Sequence, residues 1–398
     1  RLEALGDSIL KLVSSVTVFQ QEPEGTEATL STYRSRIVSN YNLTKLARAM
    51  CVPNYIRVTN LDTSRMRKKT FKYWNIAGRT PETRSCCVGL KQMADVMEAL
   101  MGAYYVAGGL TMSMEFMKIA KMTVVWNDFV PKPLSSQKVQ DVYEHYNLAE
   151  VEGMLKYKFR DKSLLVEALT HSSFRNSATP CYQRLEFLGD AVLDVITITK
   201  FYNDYPDADE GQLSQLRSHI VGNDNFARVI CNLGLYRYIL ESNTSIRKNI
   251  HSFIMSFTDE NQLTHRRKAP KILGDIMESL AAAVFMDSRL DMDTVGKIFL
   301  PILMPVMNAL HDGEVDLISV RHLYTMCKHA RLQVNIKLDD MERTATVFLE
   351  DHGKIAVGKN NCLSLAKTNA ALSAMQFVRD SPQLVRLIKD LSEPNGVH

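Results

Sequence analysis

Residues 184–193 read RLEFLGDAVL, and residues 1–10 read RLEALGDSIL. The offset is 183 (184 minus 1), and it also aligns Leu30-Ser31 with Leu213-Ser214, Arg34-Ser35 with Arg217-Ser218, and Ile37-Val38 with Ile220-Val221. Asn40 and Asn42 fall on Asn223 and Asn225 without a gap. Further along, KQMADVMEAL (91–100) matches KILGDIMESL (271–280) at an offset of 180 (271 minus 91), so the intervening segments differ by a net three residues. A repeat this long, with no shorter period inside it, predicts two homologous domains and not a solenoid.

The repeated stretches are helical in pattern. Leu2, Leu5, Ile9 and Leu12 recur at helical spacing, as do Leu185, Leu188, Val192 and Val195. Met93, Val96, Met97 and Leu100 form a second apolar stripe, matched by Leu273, Ile276, Met277 and Leu280. Strand-like alternation is scarce before about residue 330.

A chain of 398 residues is too long for one core and predicts two or three domains. Its 45% hydrophobic and 23% charged content is that of a soluble globular protein, and a net charge of +4 neither demands nor excludes a polyanionic partner. No apolar run reaches the roughly 18 residues of a membrane span, and no secretory signal pattern is present. Seven cysteines without a C-x-x-C argue against a disulfide framework or a zinc site and for free thiols in a reducing, intracellular compartment, cytoplasmic or nuclear. The chain opens on its motif without a Met, which reads as a fragment of a longer protein. Its first copy lacks the lead-in LAEVEGMLKYKFRDKSLLVEALTHSS (148–173) of the second.

Each copy carries two acid pairs. Glu3 and Asp7 are four apart and Asp95 and Glu98 three apart; Glu186 with Asp190 and Asp275 with Glu278 repeat the pattern. Such spacings put both acids of a pair on one helix face, where like charges cost a few tenths of a kcal/mol, about 0.2–0.5. Two such helices packed together would gather four carboxylates, which need protons or a cation. Oxygen donors suit hard cations, so Mg²⁺ or Mn²⁺ is the expected counterion. Two such ions about 3.5–4 Å apart are suited to phosphodiester hydrolysis. Exposed helix acids are the ordinary reading of one such pair; recurrence of both pairs in both copies weighs against it.

RLEFLGDAVLD after Tyr182-Gln183, EALTHSS (167–173), LSQLRSHIVGNDNFARV (213–229) and KILGDIMESLAAAVF (271–285) resemble the signature of ribonuclease III. The resemblance covers most of residues 1–310. Two copies followed by a small C-terminal module resemble the Dicer type, Drosha being the other tandem type. The resemblance implies a mainly α fold and two all-α endonuclease domains paired as an intramolecular pseudo-dimer, not an obligate homodimer. It also implies Mg²⁺- or Mn²⁺-dependent cleavage of double-stranded RNA leaving 5′-phosphate and 3′-hydroxyl ends. Carried over, the catalytic metal ligands are Glu3, Asp7, Asp95 and Glu98 in one half and Glu186, Asp190, Asp275 and Glu278 in the other. Lys91 and Lys271, four residues before Asp95 and Asp275, are implied to assist phosphate chemistry; a solvated helix lysine is the competing reading of each.

Basic residues precede the second acid pair in both copies: Arg65, Arg67, Lys68, Lys69 and Lys72 among Phe71, Tyr73 and Trp74, and Arg266, Arg267, Lys268 and Lys271. They suit phosphate contacts or a solvated loop equally. His171 reads as a packed or capping residue, and Asn40, Asn42, Asn223 and Asn225 as helix-end or turn residues.

After about residue 313 the pattern becomes α-β-β-β-α: a helix over 317–330, strands over 333–338, 344–350 and 354–358, and a helix over 364–378. The order resembles a double-stranded-RNA-binding domain. Its last helix starts with only Leu365-Ala366-Lys367, and Asp339, Asp340 and Glu342 fall in the first strand turn. RNA binding and protein contact both remain open for this module.

The expected division is a ribonuclease III domain over 1–125, a linker over 126–140, a second such domain over 141–312, the small module over 313–382 and a tail over 383–398. The expected function is duplex RNA cleavage into short silencing RNAs, with a role in antiviral defence. Alternatives are a Drosha-like hairpin processor and a non-catalytic RNA-binding scaffold. No membrane partner is expected.

Overall fold

The computed structural model describes residues 1–56, 70–74, 85–128, 136–175, 177–258, 269–311, 323–324, 327, 332–350, 353–359 and 363–381. The chain forms two compact units, Arg1–Phe253 with Lys268–Ile302, and Ile254–Arg267 with Leu303–His398. Most of both duplicated halves lies in the first unit. Among the described residues, no helix is long and apolar enough to cross a membrane.

The first half runs α1 (Leu2–Gln21), α2 (Glu27–Ile37), α3 (Asn40–Ala49), a hairpin of β1 (Thr70–Trp74) and β2 (Ser85–Gly89), and α4 (Leu90–Ile119). The second has α5 (Gln137–His145), α6 (Ala149–Leu155) and α7 (Lys162–Leu169), then α8 (Gln183–Asp204), α9 (Glu210–Ile220), α10 (Asn223–Leu233), α11 (Thr244–Thr258), α12 (Lys271–Asp287) and α13 (Met292–His311). Helix α8 repeats α1, and α12 repeats the first part of α4.

The periodic stripes become the core. Leu5, Ile9 and Leu12 on α1, and Leu185, Leu188, Val192 and Val195 on α8, are buried. All four stripe residues of α12 are buried, whereas on α4 Met93 and Met97 are buried and Val96 and Leu100 only half so. Helix α7 accounts for the difference by covering α12, where the Ser279 hydroxyl donates to the Ala168 carbonyl at 2.7 Å.

The α1–α4 and α8–α12 pairs cross on glycine. A Cβ on Gly6 would lie 1.8 Å from the Glu98 carbonyl oxygen, and one on Gly189 1.8 Å from that of Glu278. Only glycine permits so close a backbone approach. The glycine of each LGD triplet thus sets the helix spacing on which the neighbouring acids depend.

Helices α1 and α8 pack against each other, and reciprocal contacts give the pairing a pseudo-twofold. Arg1 donates to the Tyr202 carbonyl at 2.5 Å and lies over its ring, 4.4 Å from the centroid. Arg184, its counterpart at offset 183, donates to the Phe19 carbonyl at 3.4 Å and lies 4.5 Å over that ring. Phe19 and Tyr202 are themselves equivalent. The intramolecular pseudo-dimer expected from the sequence is therefore built from matched arginine–aromatic pairs. After α4, Thr17 and Gln20 hold the extended segment through Val125 and Asn127 along α1.

The β1–β2 hairpin departs from the expectation of few strands before residue 330. It pairs Phe71 with Val88 and Tyr73 with Cys86. Strands of only five residues leave little for periodicity to detect. Of the free thiols expected, Cys51, Cys181, Cys231 and Cys327 are free among the described residues.

In the second unit, β3 (Val334–Asp339), β4 (Thr344–Leu349) and β5 (Gly353–Lys359) form an antiparallel sheet in that order, followed by α14 (Leu363–Asp380). Alternate residues Ala345, Val347 and Leu349 of β4 are buried against Ala366, Ala370, Ala374 and Val378 of α14. Of the helix expected over 317–330, Leu323, Tyr324 and Cys327 are described and helical, and Leu323 and Cys327 join this core. Asp339 caps the β3–β4 turn through the backbone N–H groups of Met341 and Glu342.

Candidate metal centres

Crossing of α1 with α4 brings Glu3, Asp95 and Glu98 together, each offering a carboxylate oxygen within 4.8 Å of the others. Crossing of α8 with α12 does the same for Glu186, Asp275 and Glu278. These are the only clusters of this kind among the described residues. Burial pushes the Glu98 carboxyl up to about 8, with Asp7, Asp95 and Glu3 adding negative charge. Burial likewise pushes Glu278 up to about 9, reinforced by Asp190, Glu186 and Asp275. Glu3, Glu186 and Asp275 are also raised, chiefly by burial.

The fourth acid of each set lies beside its cluster and faces the other half. Asp7 is 3.5 Å from the Arg217 guanidinium, and Asp190 is 3.6 Å from that of Arg34. Arg34 and Arg217 are equivalent, so each half sends one arginine to the other's acid. Asp190 has a second cation in Lys11, at 2.8 Å. A cavity of about 260 Å³ is lined by all four second-half acids together with Lys271, Asn223 and, from the first half, Glu27, Ser31 and Arg34.

The two lysines sit at the cluster mouths. Lys91 lies 2.9 Å from Asp95 and 3.8 Å from Glu3. Lys271 lies 2.8 Å from Glu186 and 3.3 Å from Asp275. The hydrogen bond to Asp95 raises Lys91; for Lys271, burial works downward but the bond to Glu186 and the nearby charges outweigh it. Both side chains are about three-quarters exposed and open to a solution ligand (74% and 76%).

Other participants carry no acidic-pair signature. The Tyr182 hydroxyl donates to Asp275 at 3.0 Å, fixing that carboxylate from the start of α8. Glu27 adds negative charge near Glu186, and its counterpart Glu210 near Glu3, each from the opposite half. The 183 offset also aligns Glu27 with Glu210, which was the available signal. His171 caps its turn: its Nδ1 accepts from the Ser173 backbone N–H at 3.0 Å. Asn42 and Asn225 donate to the carbonyls of Ile37 and His219, tying successive helices. Arg65, Arg67, Lys68, Lys69, Arg266, Arg267 and Lys268 lie outside the described residues, as do residues 129–135 of the expected linker and the tail. Lys72, Phe71, Tyr73 and Trp74 are described as β1 backbone only.

The donor set fits a hard divalent cation. Every donor is a carboxylate oxygen, the spacing allows several to share one ion, and burial, reinforced by the neighbouring acids, makes Glu98 and Glu278 costly to ionise without a cation.

Comparison with known proteins agrees with this architecture. The Ribonuclease III domain matches residues 1–109 and 183–289, which is more than half of the chain. Endoribonuclease Dicer homolog 3 of Arabidopsis thaliana is 33% identical over 94% of this chain and 26% of its own length. Endoribonuclease Dicer homolog 2a of Oryza sativa subsp. japonica is 34% identical over 87% of this chain and 25% of its own. The chain thus spans about a quarter of the length of these relatives. Among solved structures, the nuclease domain of ribonuclease III from Campylobacter jejuni is similar at 32% identity, covering 39% of this chain and 96% of that one, with a TM-score of 0.33. With its two matched domains and two acidic clusters, the chain belongs to the ribonuclease III family, in the tandem, Dicer-like arrangement.

Proposed function

We propose that this chain is an endoribonuclease that hydrolyses double-stranded RNA, each half cutting one strand with Mg²⁺ or Mn²⁺. The observation that carries the reading is the duplicated three-carboxylate cluster, with a fourth acid and a cross-half arginine beside each. Glu3, Asp95 and Glu98 would hold the ion in one half, and Glu186, Asp275 and Glu278 in the other, with Asp7 and Asp190 as the adjoining acids. A bound divalent ion supplies charge neutralisation and polarisation of water and phosphate oxygens. The chain's own residues do the rest. Lys91 and Lys271 present ammonium groups to an incoming phosphate, and Tyr182 orients Asp275. Arg34 and Arg217 fix the fourth acids across the pseudo-twofold, so each centre depends on the opposite half. Two centres related by a pseudo-twofold suit the two antiparallel strands of a duplex.

We further propose that the products are short duplexes serving RNA silencing and antiviral defence. The division into 1–125, 141–312 and 313–382 is retained as part of the proposal. The small module is proposed to contact RNA or a protein partner. The exposed acids Asp339, Asp340 and Glu342 at its first turn favour a protein over a phosphate backbone at that point. Incubating long duplex RNA with the protein and Mg²⁺ tests the reading. Cleavage is expected, and it should disappear in EDTA and in the combined Asp7→Asn, Asp190→Asn variant. A folded parent protein that leaves the duplex intact would favour a binding scaffold.

A further inference from the structure

Positions 11 and 194 are the same position of the repeat, 183 residues apart, yet one holds lysine and the other aspartate. Across the α1–α8 contact their side chains meet, Lys11 Nζ lying 2.6 Å from an Asp194 carboxylate oxygen. A position that meets its own equivalent lies on the pseudo-twofold. The pair is largely desolvated, with Lys11 23% and Asp194 5% exposed. Two first halves paired in this way would bring lysine against lysine, and two second halves aspartate against aspartate. Both arrangements are disfavoured, because like charges at this depth repel with little solvent to screen them.

We propose that Lys11 and Asp194 encode the choice of partner at this interface: each half accepts the unlike half and rejects a second copy of itself. The surrounding charges fit. Lys11 also reaches Asp190 at 2.8 Å, and Asp194 lies 3.7 Å from Arg217. Their counterparts, Asp7 and Arg34, stand at the mirrored places, so the interface is laid out to accept the pair in either orientation. The matched pairs Arg1 with Tyr202 and Arg184 with Phe19, and Arg34 with Asp190 and Arg217 with Asp7, are the same in kind on both sides and do not discriminate. The charge pair on the axis distinguishes like from unlike pairing. The proposal does not depend on catalysis.

Thermal unfolding of the full chain in EDTA, at fixed pH and salt, tests it on four proteins: the parent, K11D, D194K and K11D/D194K. Unlike charges at the two positions should stabilise the protein whichever half carries which. Each single variant should lose roughly 5–10 °C in Tm, and the double variant should recover more than half of the larger loss. If a single variant does not fold, the return of a cooperative transition in the double variant is the supporting result. Recovery of less than half, or single variants that melt with the parent, would overturn the proposal. A role confined to the aliphatic stem of Lys11 would leave the double variant as damaged as K11D.

Discussion

Glu98 and Glu278 hold protons that a solvated carboxyl would release, because their helix crossings bury them among other acids. Their folded values, about 8 and about 9, exceed the ordinary 4.5. Between these limits the native state binds more protons than the unfolded chain, so metal-free stability must fall as pH rises from the ordinary value towards 8–9. A divalent cation replaces those protons. Its stabilising effect should therefore be larger near pH 8 than near pH 5, where protons compete. Melting curves with and without Mn²⁺ across that range check the point; a Tm gain independent of pH would contradict it. Glycine at positions 6 and 189 makes the crossings possible. Gly189→Ala should cost about 1–3 kcal/mol in urea unfolding, the range for overpacking, and weaken metal binding in the second half. At this scale the acids were legible, because i,i+3 and i,i+4 spacing recurs in both copies. Turning of Asp7 and Asp190 towards Arg217 and Arg34 was not, since a repeat offset shows which residues are equivalent and not which meet across an axis.

Among the elements, the end of the second acidic helix is built differently in the two halves. Helix α4 breaks at Gly108 and Gly109, the latter at φ 69°, before continuing to Ile119. At the equivalent place α12 ends, and Arg289 and Leu290 stand at φ 63° and 62° before α13. Left-handed backbone costs a residue with a Cβ about 1–2 kcal/mol, and glycine little. Gly109, at φ 69° and ψ −164°, lies in a region essentially reserved for glycine, so Gly109→Ala should destabilise by about 1–3 kcal/mol. Arg289 is exposed and contributes little packing, so Arg289→Gly should be neutral or stabilising by a few tenths, up to about 1 kcal/mol. Urea unfolding midpoints measure both, and opposite signs would refute this view of the turn. The long helices were legible because Leu185, Leu188, Val192 and Val195 keep period over several turns. The β1–β2 hairpin was not, because five residues of β pattern do not outweigh base expectation. The C-terminal strands were legible within a residue or two, since alternation on β4 survives as alternate burial.

For the molecule as a whole, duplication supplies more than two copies of a cluster. It supplies matched arms: Arg1 and Arg184, Arg34 and Arg217, each reaching into the opposite half. Each acidic centre is therefore completed by residues from the other half. The pseudo-dimer was legible from the repeat and the family resemblance, but its wiring was not, because residues far apart in the chain meet only on folding. Truncating Arg184 to alanine should loosen the pairing by removing contacts to Phe19, Glu22 and Gly25, at a cost of about 1–3 kcal/mol. Calorimetry would show it as a lowered Tm, whereas an unchanged transition would mean that the contacts carry no energy. Two separate acidic centres, each cutting one strand, are what the proposed activity requires. This requirement is tested most directly by strand-resolved cleavage of a duplex RNA labelled on one strand or the other, using Glu98→Gln, Glu278→Gln and the combined variant in Mg²⁺. Each single variant should leave a nicked duplex, the two should spare opposite strands at a given site, and the combined variant should cut neither. Loss of both cuts in a folded single variant, or the same strand spared by both, would contradict one centre per strand.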